Sequence, residues 1–310
     1  FTTREVEEMS RAVSASTGRT YGLARVAGVW GIARSTVYGR RKRELMPLGA
    51  RPGHGKRGPK GPLSDEGLVA LIRRELAESP FHGEGHRKVW ARLRCRGIRT
   101  SKERVLRLMR ENGLLAVVRK GNPHGPKAHD RSIITECPDQ MWGADMTTTM
   151  TIGEGVARVF VAVDHSTCEC VGVHAARSGN RFEALEPIRQ GVREHFGAFS
   201  EGVAEGLALR HDHGSAYMSD DFQREITFLG MRSSPAFVKE PEGNGCAERF
   251  IRTLKENLLW VRPFATIEQL RLALLEFKEL YNERWLIERL GYRTPAQARR
   301  MACKPVEKAA

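Results

Sequence analysis

Between Arg210 and Lys255 the chain carries two acids in different local settings. Asp212 follows a short apolar run, 206–209, and precedes Gly214 and Ser215, so it stands where a strand ends. Glu248 lies in NGCAERFIRTLKEN, which has helical periodicity. Taking 100° per residue, Asn244, Glu248, Arg252 and Lys255 share one face, and Ala247, Phe250, Ile251, Leu254 and Leu258 form an apolar stripe about 110° away. Thirty-five residues separate the two acids. A third, Asp145, sits in MWGADMTTTM, a polar and β-prone run followed by the apolar run VARVFVAVD. Together these two runs predict a hairpin turning at Gly153-Glu154-Gly155. Acids at a hairpin, a strand end and a helix constrain the chain to an α/β sheet with its chemistry near the strand ends.

A single Asp or Glu is ordinarily a solvated surface residue. Three in this joint context fit metal-assisted phosphoryl transfer, in which two hard cations about 3.5–4 Å apart are held by carboxylate oxygens. One acid can serve both ions while each of the others completes one half of the site.

These motifs resemble those of a known family. HDHGSAYMS, the 35-residue gap and NGCAERFIRTLKEN, with Lys255 seven residues after Glu248, look like the DDE signature of transposases and retroviral-type integrases, as found in insertion-sequence family three (IS-three). The resemblance runs from about Leu63 to Met301. It implies an RNase H-like mixed-sheet core, preceded by helix-turn-helix DNA-binding domains and followed by a helical C-terminal segment. It maps the catalytic and metal-binding triad onto Asp145, Asp212 and Glu248, with two Mg²⁺ (or Mn²⁺) per site. One ion would lie between Asp145 and Asp212 and the other between Asp145 and Glu248. Asn244, Arg252 and Lys255 would position DNA, and Asp164, His211 and His213 are candidates behind the triad, Asp164 more as a turn former. The chain departs from the family pattern at Gly243, where Asp is common, at Ala216, where Gln is common, and at Leu290, where His is common.

Charge is unevenly placed. Residues 1–130 hold 28 Lys and Arg against 12 Asp and Glu, whereas the remainder holds 23 against 25. A basic front half suits a polyanion, since each neutralised phosphate releases counterions. The six cysteines form no C-x-x-C pair, and His82 and His86 have ligand spacing but no such pair after them. The cysteines are therefore expected to be reduced and mostly packed, and the zinc-binding N-terminal domain of retroviral integrases is expected to be absent. No uninterrupted apolar stretch approaches a membrane span and no signal-peptide pattern is present, so a cytoplasmic, nucleoid-associated protein is expected. The chain opens on Phe1 rather than Met, so a natural beginning further upstream is expected.

Residues 1–47 are predicted as a helix-turn-helix region, with a helix over 4–15, a turn at Gly28–Gly31 and a second helix from Ile32 to Leu45. That second helix offers Ser35, Thr36, Tyr38, Arg40 and Arg41 to DNA. Residues 48–62 are a basic Pro/Gly linker. Residues 63–116 resemble a second helix-turn-helix domain, with Ser64 and Ser101 as N-caps and Arg87, Lys88, Arg92, Arg94, Lys102, Arg104 and Arg107 as candidate contacts. A linker follows at 117–137, then the core at 138–262, a helical segment at 263–302 capped by Thr266 and Thr294, and a tail at 303–310.

The expected function is that of a DNA transposase. It would bind double-stranded DNA at the inverted-repeat ends of its element, cut and join strands, and assemble as a homo-oligomer on paired ends. Two rivals remain open: an RNase H-like nuclease that hydrolyses without joining, and a catalytically silent DNA-binding repressor.

Overall fold

The computed structural model describes residues 3–45, 63–116, 135–236 and 244–303. The linker 48–62, most of the linker 117–137 and all but the first residue of the tail lie outside the described residues. The chain divides into two units, Phe1–Lys60 and Gly61–Ala310.

In the first unit three helices, α1 (Thr3–Arg11), α2 (Leu23–Val29) and α3 (Arg34–Glu44), enclose Val6, Val26 and Val37. Leu23, Trp30 and Ile32 close this small core. The turn between α2 and α3 includes Gly31 at φ 65°, a left-handed conformation that favours glycine. The helix predicted over 4–15 stops at Arg11, and Val13 pairs instead with Thr20 in an isolated β-bridge.

The second unit begins with α4 (Asp65–Glu78), α5 (His86–Cys95) and α6 (Lys102–Glu111). Ser64 and Ser101 cap α4 and α6 by accepting from the amides of Gly67 and Arg104, both at 3.1 Å. Leu68, Ile72, Val89, Leu93, Val105, Leu108 and Met109 form their shared core.

Next come β1 (Met141–Thr151), β2 (Gly155–Asp164) and β3 (Cys170–Ala176), then α7 (Arg181–Phe196) and β4 (Ala208–His211). After them follow α8 (Asp220–Phe228), β5 (Arg232–Pro235), α9 (Gly245–Leu254), α10 (Ile267–Arg284) and α11 (Pro295–Ala302). The sheet order is β3-β2-β1-β4-β5. The first three strands are antiparallel, and β4 and β5 are parallel to β1 and to each other. This is the RNase H-like mixed sheet. The β1–β2 hairpin closes with Thr151 opposite Gly155.

β2 is apolar on both sides because both faces of the sheet are covered. Val159, Val161 and Val163 meet α9 and α10, whereas Phe160 and Ala162 meet α7 and α8. β1 alternates likewise, with Trp142 and Ala144 on the α7 and α8 side. Period-two alternation then turns Gly143 and Asp145 toward the side of α9.

The three-helix domain of the second unit packs on the end of α10. Phe81 meets the rings of Phe277 and Trp285 edge-on at 6.4 and 4.8 Å, and Trp90 meets Tyr292 at 5.5 Å.

Candidate active site

Asp145 lies in the middle of β1, opposite Val161. Asp212 is the first residue after β4, and Glu248 lies in the first turn of α9. Close approach of α9 to β1 requires Gly143, because a Cβ there would come within 2.4 Å of the Asn244 side chain and 2.8 Å of His165. Asn244 also donates from Nδ2 to the Ala144 carbonyl at 2.9 Å. That bond ties the start of the helix carrying Glu248 to the residue beside Asp145.

Asp145 lies within electrostatic reach of the other two acids. Burial pushes the Asp145 carboxyl up to about 6, with the negative charges of Asp212 and Glu248 adding to the rise. The Met146 amide, donating to it at 2.7 Å, and the charge of Lys255 act in the opposite direction. Partial burial raises Glu248 as well. None of the three carboxylates has an ion-pair partner among the described residues. No three His, Cys, Asp or Glu side chains among the described residues converge on one metal-sized point.

Asp212 accepts from the Gly214 amide at 2.8 Å, fixing the turn after β4. His211 is fully buried and anchors that turn from behind. Its Nδ1 donates to the Asp212 carbonyl at 2.7 Å, so its Nε2 accepts from the Ser233 hydroxyl at 2.9 Å. Burial keeps this histidine below its ordinary range, hence neutral. His213 is exposed and donates to the Ala236 carbonyl at 2.6 Å.

Tyr217 was missed in the sequence. Its ring is 3% exposed and stacks on His211 at 5.6 Å. Burial, then the charges of Asp145 and Asp212, push its hydroxyl well above the ordinary range, so a neutral phenol faces the two acids. Its spacing five residues after Asp212 was visible, but nothing local distinguished it from a core tyrosine.

Several expected DNA contacts are occupied elsewhere. Asn244 is 6% exposed and serves as the β1 tie. Asp164, expected not at DNA but behind the triad and more as a turn former, is fully buried and accepts from Thr167 at its amide and hydroxyl and from the Asp139 amide. Lys88 places its ammonium over the Trp285 ring, where burial lowers it to about 6. Arg92 pairs with buried Glu84 at 3.0 Å. Arg104 grips Asp65 and the Leu63 carbonyl, and Arg107 bridges Asp65 and Glu111. Arg87 pairs with Glu288 at 2.7 Å. Lys102 lies against Trp90 and Tyr292, and Arg94 against Trp90.

Other expected residues stay outward. Ser35, Thr36, Tyr38, Arg40 and Arg41 are all exposed on α3. Arg252 is exposed and pairs with Glu256 at 3.1 Å. Lys255 opens the π-helical turn Lys255–Leu259 that continues α9, and its charge reaches Asp145. The cysteines are all unbridged, but Cys95, Cys137 and Cys303 are exposed rather than packed.

Residues 63–121 match the HTH-like domain family and residues 229–295 match the integrase core domain family. The Escherichia coli protein "Transposase InsD for insertion element IS2A/D/F/H/I/K" is 27% identical over 246 residues, covering 77% of this chain and 80% of that protein. On these matches the chain is a DNA transposase. Among solved structures, the transposase is similar to a simian T-cell lymphotropic virus intasome in complex with a PP2A regulatory subunit. That match has 18% identity and TM-score 0.44, over 79% of this chain and 77% of that one. The catalytic core of BIV integrase matches at 18% identity and TM-score 0.39, over 53% of the transposase and 95% of that chain. No described helix of the transposase is long and apolar enough to cross a membrane.

Proposed function

We propose that this transposase binds double-stranded DNA at the ends of its insertion element and cleaves and joins strands at Asp145, Asp212 and Glu248. The carrying observation is the state of Asp145: a half-buried carboxylate without a cation, with two further acids acting on it and Lys255 opposing them. Such a site disfavours its own ionised form until positive charge arrives.

Carboxylate oxygens are the donors that Mg²⁺ or Mn²⁺ takes. Asp145 and Asp212 would hold one ion and Asp145 and Glu248 the other. When bound, two such ions supply an activated oxygen nucleophile and a stabilised leaving oxygen. Residues of the chain do the rest. Asn244 fixes the first turn of α9 on β1, and His211 with Gly214 fixes Asp212. Lys255 offers a cation to a scissile phosphate beside Asp145, and Arg252 contributes a second once released from Glu256.

DNA recognition is assigned to the outward face of α3, through Ser35, Thr36, Tyr38, Arg40 and Arg41. The domain over 63–116 keeps the exposed Arg73, Arg99 and Arg110, which have no ion pair among the described residues. Pairing of element ends calls for a homo-oligomer.

The test is strand transfer with purified protein, a labelled duplex bearing the element end, and Mg²⁺, with Glu248→Gln in parallel. Joined products that vanish in the variant support both reaction and site. Hydrolysed strands without joining favour a nuclease, and binding without chemistry in the presence of any upstream partner protein favours a repressor.

A further inference from the structure

Two cysteines beside the site have no part in the chemistry above. Cys168 occupies the turn between β2 and β3, and Cys246 lies in the first turn of α9, two residues before Glu248. Their Sγ atoms are 3.5 Å apart, which is van der Waals contact, and both are free thiols. A disulfide requires about 2.05 Å, so the sulfurs need to close by roughly 1.5 Å. Arg289 donates to the Cys168 sulfur at 2.7 Å while also holding the His165 and Ser166 carbonyls. A guanidinium against sulfur favours the thiolate, the nucleophilic form. The hydrogen bond from Cys246, aided by Arg289, brings Cys168 down to about 7. Ser166, Thr167 and Arg289 also line a surface cleft of about 340 Å³, next to the turn that holds Cys168, itself 7% exposed. Cys170 is fully buried and burial pushes its thiol up, which leaves it inert.

We propose that Cys168 and Cys246 form a reversible disulfide when a peroxide is the oxidant, and that this bond displaces Glu248 and switches off strand transfer. The Cys168 thiolate attacks one peroxide oxygen and breaks the O–O bond. This gives a Cys168 sulfenic acid and hydroxide, which becomes water. The Cys246 sulfur then attacks the sulfenic sulfur, the S–S bond forms, and a second water leaves with the thiol proton. Each sulfur loses one electron, and the peroxide takes up two. Closing the S–S gap pulls the first turn of α9 toward the β2–β3 turn. A displacement of about 1 Å at a catalytic constellation can cost about a hundredfold in rate. The second half of the proposal rests on the assignment of Glu248 to the active site.

The full chain is treated with hydrogen peroxide, blocked with alkylating agent under denaturing conditions, and mapped by peptide mass spectrometry. Strand transfer is measured on the same samples. The expected result is a Cys168–Cys246 linked peptide, reversed by dithiothreitol, and strand transfer reduced tenfold or more by oxidation and restored by reductant. Cys168→Ser and Cys246→Ala are each expected to lose the linkage, and Cys168→Ser to keep its strand transfer through peroxide treatment. Absence of the linked peptide, or linkage only at Cys95, Cys137 or Cys303, overturns the site. A linked protein with undiminished strand transfer overturns the switch. A linked peptide in a protein without strand transfer even when reduced upholds the disulfide and overturns the catalytic reading instead.

Discussion

The three-helix domain over 63–116 and the sheet site beside α9 are both rich in charge, yet they treat it in opposite ways. In the domain, Arg92 meets Glu84, Arg104 and Arg107 converge on Asp65, and Arg96 bridges Glu75 and Glu78. At the sheet, Asp145, Asp212 and Glu248 have no ion-pair partner among the described residues, and burial, with the charges of the other two acids, raises Asp145 to about 6. Paired charge holds helices together, whereas unpaired charge in a shielded position is held against its own stability. The contrast teaches where to look for chemistry: a fold keeps a disfavoured carboxylate only where something else benefits from it.

The comparison breaks most sharply at Asp145. Asp145→Asn is expected to reduce cleavage about a thousandfold or more, because the shared carboxylate is lost. The same change is expected to stabilise the metal-free protein at pH 7.5 by about 2 kcal/mol. The sign follows from the raised value. The folded state holds the Asp145 proton more tightly than the unfolded chain, so the destabilisation is absent below about pH 4 and complete above about pH 6. Urea melts of wild type should therefore lose stability through that window, and those of the variant should lose less. Added Mg²⁺ or Mn²⁺ should stabilise wild type increasingly as pH rises through 6, since binding needs the ionised form.

Asn244→Ala sharpens the comparison from the side of position. Losing the bond to Ala144 should cost about 1–2 kcal/mol in stability and lower the cleavage rate about tenfold through a looser α9 start. An unchanged rate at unchanged stability would show that the tie does not set the site.

Smaller effects are expected where charges are paired. Arg104→Ala should lower stability in urea by about 1–2 kcal/mol, since it strips Asp65 of a two-pronged partner, while end binding in a gel-shift titration should change about twofold at most. Smallest in free energy is Arg41→Ala on α3. It should leave stability within about 0.5 kcal/mol but weaken DNA binding and lower the slope of log affinity against log salt by about one.

Much of this was legible in the sequence. The hairpin, the strand before Asp212 and the buried stripe of α9 follow from periodicity, and they place the three acids on the elements that carry them. What the wheel could not give is cover. It puts Asn244 on the face of Glu248, but the first turn of α9 rests on Gly143, so Asn244 is buried while Glu248, one turn on, is not. Pairing was hidden for a similar reason. Arg87 and Glu288, or Arg104 and Asp65, are far apart in the chain and meet only through tertiary packing. β5, with Arg-Ser-Ser-Pro at the sheet edge, shows no alternation that would mark it as a strand. Tyr217 was hidden because its relation to Asp145 exists only once β1 and β4 lie side by side.

The most direct measurement of the account is cleavage of a labelled element-end duplex by Asp212→Asn, run beside wild type and Arg104→Ala in Mg²⁺. The account predicts loss of product by about a thousandfold for Asp212→Asn, with end binding within about threefold of wild type, and near-normal cleavage by Arg104→Ala at a temperature where it remains folded. Cleavage by Asp212→Asn at the wild-type rate would contradict it.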